Sequence, residues 1–219
     1  MKRNISERVS AGEFSTWLSD MRNALISNSE MKVECGECTA CCRSSYFIHI
    51  SSNEKETLRC IPKELQFDAI GPKKGDVLLG YRKDGTCPMF VDGTCEIYEF
   101  RPQTCRRFDC RILSATGLFE SEERPLVNRK ILQWEFEFED ELSRKQYNAV
   151  KSAALFLEQH GSFFPENWVP PNPVQRAVLA VQVFDIFLEE NESPFEDGNI
   201  EAAKKYVKKF MNASKNFGK

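Results

Sequence analysis

Histidine is nearly missing from this sequence, with only His49 and His160 among 219 residues. A zinc hydrolase draws on imidazole ligands and an open coordination position, so that class is disfavoured at the outset. No G-x-G-x-x-G or P-loop pattern occurs, and "GPKKGD" (71–76) lacks the strand before it and the helix after it that a phosphate loop needs. No uninterrupted apolar stretch is long enough to span a bilayer. The opening "MKRNISERVSAGEF" has basic residues without an apolar run behind them, so no secretory signal is expected. The net charge of −3 gives no reason to expect nucleic acid or an anionic membrane as partner. These absences leave a cytoplasmic chain whose partner or substrate is an unidentified protein. The C-terminal half, after Cys110, has no cysteine.

What the chain does have is nine cysteines, eight of them in two groups. Cys35, Cys38, Cys41 and Cys42 form "CGECTACC"; Cys87, Cys95, Cys105 and Cys110 follow, and Cys60 stands alone between the groups. A reducing compartment keeps thiols unpaired unless a metal holds them. The odd count argues against a complete disulfide framework. Adjacent Cys41 and Cys42 could bridge each other only with strain. Thiolates select zinc, copper(I) or iron–sulfur clusters. "CGEC" is a zinc-type knuckle, while "CGECTAC" has the spacing of a bacterial ferredoxin cluster, so metal is expected and its identity stays open. The radical-initiating C-x-x-x-C-x-x-C spacing is not present.

The spacing of the cysteines sets out three regions: an N-terminal helix over 1–32, a cysteine module over 33–115 and a helical region over 116–219. The fold class expected is α+β, a small cysteine-rich metal-binding module of short strands and turns between helical flanks. Ser10 and Glu13 read as a capping box ahead of Phe14, Trp17, Leu18, Met21 and Leu25. "SYFIHIS" (45–51) reads as a strand with Tyr46, Ile48 and Ile50 on one face; His49 alternates with that face and reads as structural. A short helix capped by Ser52 and stopped near Pro62 follows, then a strand over 76–83. "DGTC" occurs twice, at 84–87 and 92–95, and each Asp-Gly turn delivers a cysteine beside exposed amides. A strict two-residue hairpin at Asp92-Gly93 would pair Val91 with Thr94 and Phe90 with Cys95, and would send Cys87 to the opposite side. Pro102 opens a short helix that carries Cys105 near its dipole, which favours thiolate, with Cys110 just beyond. Arg43, Arg101, Arg106, Arg107 and Arg111 lie beside the cysteines and could offset thiolate charge. "RKILQWEFEFEDELSRKQYNAVKSAALFLEQHG" reads as one helix ending at Gly161, its Trp134, Phe136 and Phe138 forming a core stripe, with two more helices after it.

Taken together, "CGECTACC" and "CPMFVDGTCEIYEFRPQTCRRFDC" resemble the CxxCxxCC cysteine-cluster family, named for chelation of zinc or iron. The resemblance covers residues 35–110 and implies that Cys35, Cys38, Cys41, Cys42, Cys87, Cys95, Cys105 and Cys110 are the metal-binding set, with Cys60 outside it. Some relatives are named flagellin lysine N-methylases, which implies an iron–sulfur protein using S-adenosylmethionine. The expected function is zinc or iron–sulfur binding in a structural or redox role. The alternatives are a protein lysine N-methylase and a protein-interaction module with a structural metal.

Overall fold

The computed structural model describes residues 8–33, 37–69, 74–188 and 200–219. Its strands are β1 (Val9–Glu13), β2 (Ile48–Ile50), β3 (Gln66–Asp68), β4 (Val77–Leu79), β5 (Phe90–Val91), β6 (Thr94–Cys95) and β7 (Trp134–Glu137). Its helices are α1 (Phe14–Ser27), α2 (Lys55–Cys60), α3 (Gln103–Arg107), α4 (Arg111–Thr116), α5 (Pro125–Gln133), α6 (Glu141–Gln159), α7 (Pro173–Val183) and α8 (Ile200–Asn216). This is an α+β fold, with short strands and turns between N- and C-terminal helical regions, as the sequence indicates. The chain divides into two compact units: residues 1–28, 110–120 and 131–219 form one, and residues 29–109 and 121–130 the other. No described helix is long and apolar enough to cross a membrane.

In the first, helical unit, α1 buries Phe14, Trp17, Leu18 and Met21, the stripe its spacing predicts, with Ala24 completing it in place of Leu25. Its cap is Glu13 rather than Ser10: Glu13 accepts from the Thr16 amide at 2.6 Å. Ser10 is drawn into β1, where its hydroxyl donates to Glu137 at 2.8 Å. β1 pairs in parallel with β7, its register shifting between Ser10 and Gly12.

β7 interrupts what reads as one continuous helix. "WEFE" alternates with a period of two, burying Trp134 and Phe136 while Glu135 and Glu137 face water, which is the pattern of a half-buried strand. Asp140 then starts α6 afresh by accepting from the Ser143 amide at 2.7 Å. The core of the unit gathers on two rings. Phe14 meets Trp17, Phe136 and Tyr147. Phe156, fully buried, meets Phe164, Phe187, Tyr206 and Phe210.

The second, cysteine-rich unit is built on a three-stranded antiparallel sheet in the order β2-β4-β3. Ile48 pairs with Leu79 and Ile50 with Val77, so these four share the inner face. Ile50 and Leu79 pack there with Ile61, Met89 and Ile97. The helix after β2 starts at Lys55, later than a Ser52 cap would place it. The Ser52 amide is engaged by Asp76 at 2.8 Å, and the Glu54 carboxylate accepts from the Ser51 amide at 2.8 Å. β5 and β6 form the strict hairpin, with Phe90 opposite Cys95 and Val91 opposite Thr94. Asp92 (φ 49°) and Gly93 (φ 83°) both adopt positive φ, as a type I′ turn demands.

Candidate functional site

The eight described cysteines are thiols, not disulfides, and Cys35 lies outside the described residues. Cys41–Arg43 form one 3-10 turn, which leaves Cys41 exposed and Cys42 half-buried. The Cys42 carbonyl accepts from the Cys87 amide at 2.7 Å, and the Gly85 carbonyl from the Ser45 amide at 2.9 Å, so the first "DGTC" turn is laced to the double-cysteine turn. Any other residue at Gly85 would be strained. Its φ is +82°, and a Cβ would lie 2.6 Å from Ser45 Oγ. Asp84 Oδ1 accepts from the Thr86 amide at 2.9 Å; that bond first, then burial against it and Arg82 with it, hold the carboxyl below its usual range. Arg82 donates to the carbonyls of Pro88 (2.7 Å) and Phe90 (3.0 Å), fixing the approach to the hairpin.

Cys87 is not on a strand. A turn closed by Phe90 N–H on the Cys87 carbonyl at 3.0 Å bends the chain before β5, and Cys87 comes within electrostatic reach of Cys95 despite the regular hairpin. The amides at the Cys87 sulfur come from Met89 and Phe90 after it rather than from the Asp-Gly turn before it, and burial outweighs them and pushes the thiol up. Cys105 goes further. Its residue is exposed, yet desolvation at the thiol first, then Cys87, Cys42 and Cys95, push it up to about 12 against the pull of Arg101. The expected thiolate at the start of α3 is therefore corrected. A five-residue helix has little dipole to offer, and desolvation penalises the charged form.

Most arginines beside the cysteines serve backbone oxygens instead. Arg106 donates to the carbonyls of Arg101 and Glu99 and pairs with Glu30, while Arg107 donates to Gln103. Arg111 donates to the Ala11 carbonyl within the helical unit. Cys110 also belongs to that unit: it is buried, and its sulfur accepts from Trp134 Nε1 at 3.1 Å. Cys60 is half-buried and packs on the same apolar core as Cys87 and Cys95.

The comparisons with known proteins fall on this same stretch. Residues 34–146, more than half of the chain, match the CxxCxxCC family, described as "Putative zinc- or iron-chelating domain". The chain belongs to this family. Neither the curated proteins nor the solved structures contain a match.

Family membership and geometry then part company. Among the described residues, no group of three or more Cys, His, Asp or Glu side chains could hold a metal ion. The zinc ion or iron–sulfur cluster expected in eight cysteines is corrected on this finding, and so is its structural or redox role. The S-adenosylmethionine-dependent methylase, which relied on the cluster, and the metal-stapled interaction module are corrected with it. Cys42, Cys87 and Cys95 come within electrostatic reach of Cys105, and the other described thiols lie apart for particular reasons. Cys41 turns outward and Cys110 sits in the helical unit against an indole, while Cys87 and Cys95 pack on the module's core.

The feature that sequence reading passed over is the outer face of the β2-β4-β3 sheet. With Ile48 and Ile50 turned inward, Phe47 and His49 face out, and Phe67, opposite Leu78, joins them. Phe47 is 62 % exposed, Phe67 55 % and Tyr81 41 %. The Phe47 and Tyr81 rings stand 5.0 Å apart at 58°. His49 Nε2 lies 3.1 Å from Asp76, whose buried carboxylate accepts the Ser52 amide; that bond is the main cause of its lowered pKa. The alternation of "SYFIHIS" already assigned Phe47 to the outward side. Phe67 and Tyr81 carried no such signal, because only strand pairing brings them alongside.

Proposed function

We propose that the cysteine-rich unit is a protein-binding module of a cytoplasmic protein, and that the outer sheet face is its contact surface. One observation carries the reading: Phe47, Phe67 and Tyr81 form an aromatic surface that the fold leaves in water. Isolated exposed rings need no explanation, but grouped ones mark interaction sites. Aromatic residues also supply large contact area at low entropic cost, which is why they anchor interfaces. The cytoplasmic placement is supported by eight described cysteines held as thiols, which a reducing compartment preserves. In this reading the thiols of Cys87 and Cys95, with the five core residues, hold the sheet in shape from behind.

The test is selection of displayed peptides on the wild-type chain, with counter-selection on a Phe47→Ser, Phe67→Ser double variant whose circular dichroism matches wild type. The expected result is a set of peptides that binds wild type at least tenfold more tightly than the variant. Equal binding to both would remove the aromatic face as the contact surface.

A further inference from the structure

Helix α8 faces the core of the helical unit on one side and carries a single sign of charge on the other. Ala203, Tyr206, Val207 and Phe210 are buried, and the Tyr206 and Phe210 rings pack on Phe156 and Phe187. Lys204, Lys205, Lys208, Lys209 and Lys215 are all exposed. Helix geometry places Lys204, Lys208 and Lys215 within about 40° of one another, in a row about 16 Å long, with Lys205 and Lys209 along one side. From Ala202 to Lys219 the chain has six lysines and no Asp or Glu. Among the described residues no ion pair reaches Lys204, Lys205, Lys208 or Lys215. Lys209 lies over the Tyr206 ring at 4.8 Å. A helix that is merely solvated mixes signs, as α6 does with its Glu141–Lys145 pair. In α8 the neighbours at i and i+4, Lys204 with Lys208 and Lys205 with Lys209, repel each other, and only a negative partner relieves that repulsion.

We propose that this lysine row docks an acidic segment of another protein, an extended stretch with carboxylates at alternate positions. Two observations choose this occupant among polyanions. The first is net charge. The chain carries −3 although α8 is strongly basic, so the remaining residues are net acidic and repel a long polyanion such as duplex nucleic acid or an anionic bilayer. A short acidic segment meets only the row. The second is spacing. Lysines at i and i+4 are separated by about 6 Å along the helix. Side chains on one side of an extended chain repeat at nearly the same distance, about 6.7 Å. The apolar face of α8 is already packed on Phe156 and Phe187, so charge holds the partner and the docking weakens as salt rises.

The experiment follows the fluorescence anisotropy of a short labelled peptide with Glu at alternate positions, titrated with the full chain at low salt. The row variant combines Lys204→Gln, Lys208→Gln and Lys215→Gln; glutamine keeps helix propensity, so this chain folds. The control variant removes the same charge elsewhere, by Lys55→Gln, Lys63→Gln and Lys83→Gln, three exposed lysines of the cysteine-rich unit. The expected result is equal binding by wild type and control, and binding about tenfold weaker by the row variant, the size of three exposed ion pairs. Arginine at the same three row positions should keep wild-type binding. Equal loss in the row and control variants would overturn the row as the site, since net charge alone would then explain the binding. Tighter binding of a duplex oligonucleotide or of phosphatidylserine vesicles than of the peptide would overturn an acidic protein segment as the occupant. No binding by wild type would overturn the proposal, including the case in which binding appears only after Glu189, Glu190, Glu192, Glu196 and Asp197 are neutralised and the chain's own acidic stretch is the occupant. None of these readouts involves Phe47 or Phe67, so the reading of the aromatic face stands or falls separately, on the peptide selection.

Discussion

The helical unit and the cysteine-rich unit solve the same problem with different means. In the helical unit, α1, α6, α7 and α8 close their own backbone hydrogen bonds, and aromatic rings such as Phe14 and Phe156 supply the packing. Among the described residues of the cysteine-rich unit no strand exceeds three residues, α2 and α3 have six and five, and only α5, which runs across the unit's boundary, is longer. Backbone groups outside its short elements pair in turns, such as the Glu96 amide on the Met89 carbonyl, and side chains satisfy many others. Arg82 and Arg106 donate to carbonyls, Thr104 donates to the His49 carbonyl at 2.6 Å, and Gln66 reaches the carbonyls of Leu58 and Ile61. Glu54 serves amides on both sides, at Ser51 and Gln103. The comparison teaches that charged residues in a region poor in regular structure serve as backbone partners as well as acting on nearby thiols. The arginines beside the cysteines are the case in point.

The largest expected effect would separate the two units. Phe156→Ala should cost the helical unit about 3–5 kcal/mol, the usual loss for a fully buried aromatic. In denaturant, helical circular dichroism should fall early while alkylation of the cysteine-rich unit keeps its wild-type midpoint. Simultaneous loss of both signals would make the units one cooperative body and break the comparison.

Next comes the order of thiol reactivity. The upward shift of Cys105 lowers its thiolate fraction at neutral pH, partly offset by the greater nucleophilicity of a more basic thiolate. Mass-mapped alkylation with iodoacetamide should label exposed Cys41 first and Cys105 far later. Cys105 labelled as fast as Cys41 would mean its thiol is not desolvated.

Gly85→Ala should cost about 1–3 kcal/mol in the cysteine-rich unit, from its positive φ and the clash with Ser45. Gly93→Ala has a comparable φ but open space around its Cβ, so it should cost less. Equal unfolding midpoints for the two variants would show that the lacing between turns contributes nothing. A loss of about 1–2 kcal/mol is expected for Trp134→Phe, which removes the N–H donated to Cys110 together with part of the buried indole. Urea midpoints measure it, and an unchanged midpoint would make that contact incidental.

The gentlest test is acid titration of the helical unit. Burial alone would raise Glu13, but hydrogen bonds from Ser143, Thr16 and Ser15 outweigh it and lower the carboxyl from 4.5 to about 2. A depressed folded pKa contributes stability above the unfolded value and loses it as pH falls from about 4.5 toward 2. Glu13→Gln should flatten the melting temperature across that window. Because Glu13 is partly exposed, solvent screening keeps the effect small. A variant that tracks wild type through the whole window would remove Glu13 from the acid response.

Parts of this structure were legible from short windows of residues. Phe14, Trp17, Leu18 and Met21 announce α1 because a helical face repeats within a single turn. Asp92-Gly93 announces its hairpin because only such residues take positive φ without strain. The longer helix reading failed at Trp134. "WEFE" suits a strand only when a partner is present, and that partner, β1, lies more than a hundred residues earlier. The capping reading of Ser10 failed for the same reason, since Glu137 on β7 claims its hydroxyl. The family pattern marked the cysteines correctly as the distinctive residues, but the pattern does not contain distances.

The sequence by itself determined the turns, the amphipathic stripes, the α+β class and the family, since each depends on interactions within a few residues or on the order of residue types. Tertiary structure decided which thiols meet, how tightly each holds its proton and which aromatic rings stay in water. The reason is that desolvation and Coulomb interaction act through space. Cys42, Cys87, Cys95 and Cys105 influence one another only because the chain folds them together, while Cys110, five residues past Cys105, spends its sulfur on Trp134.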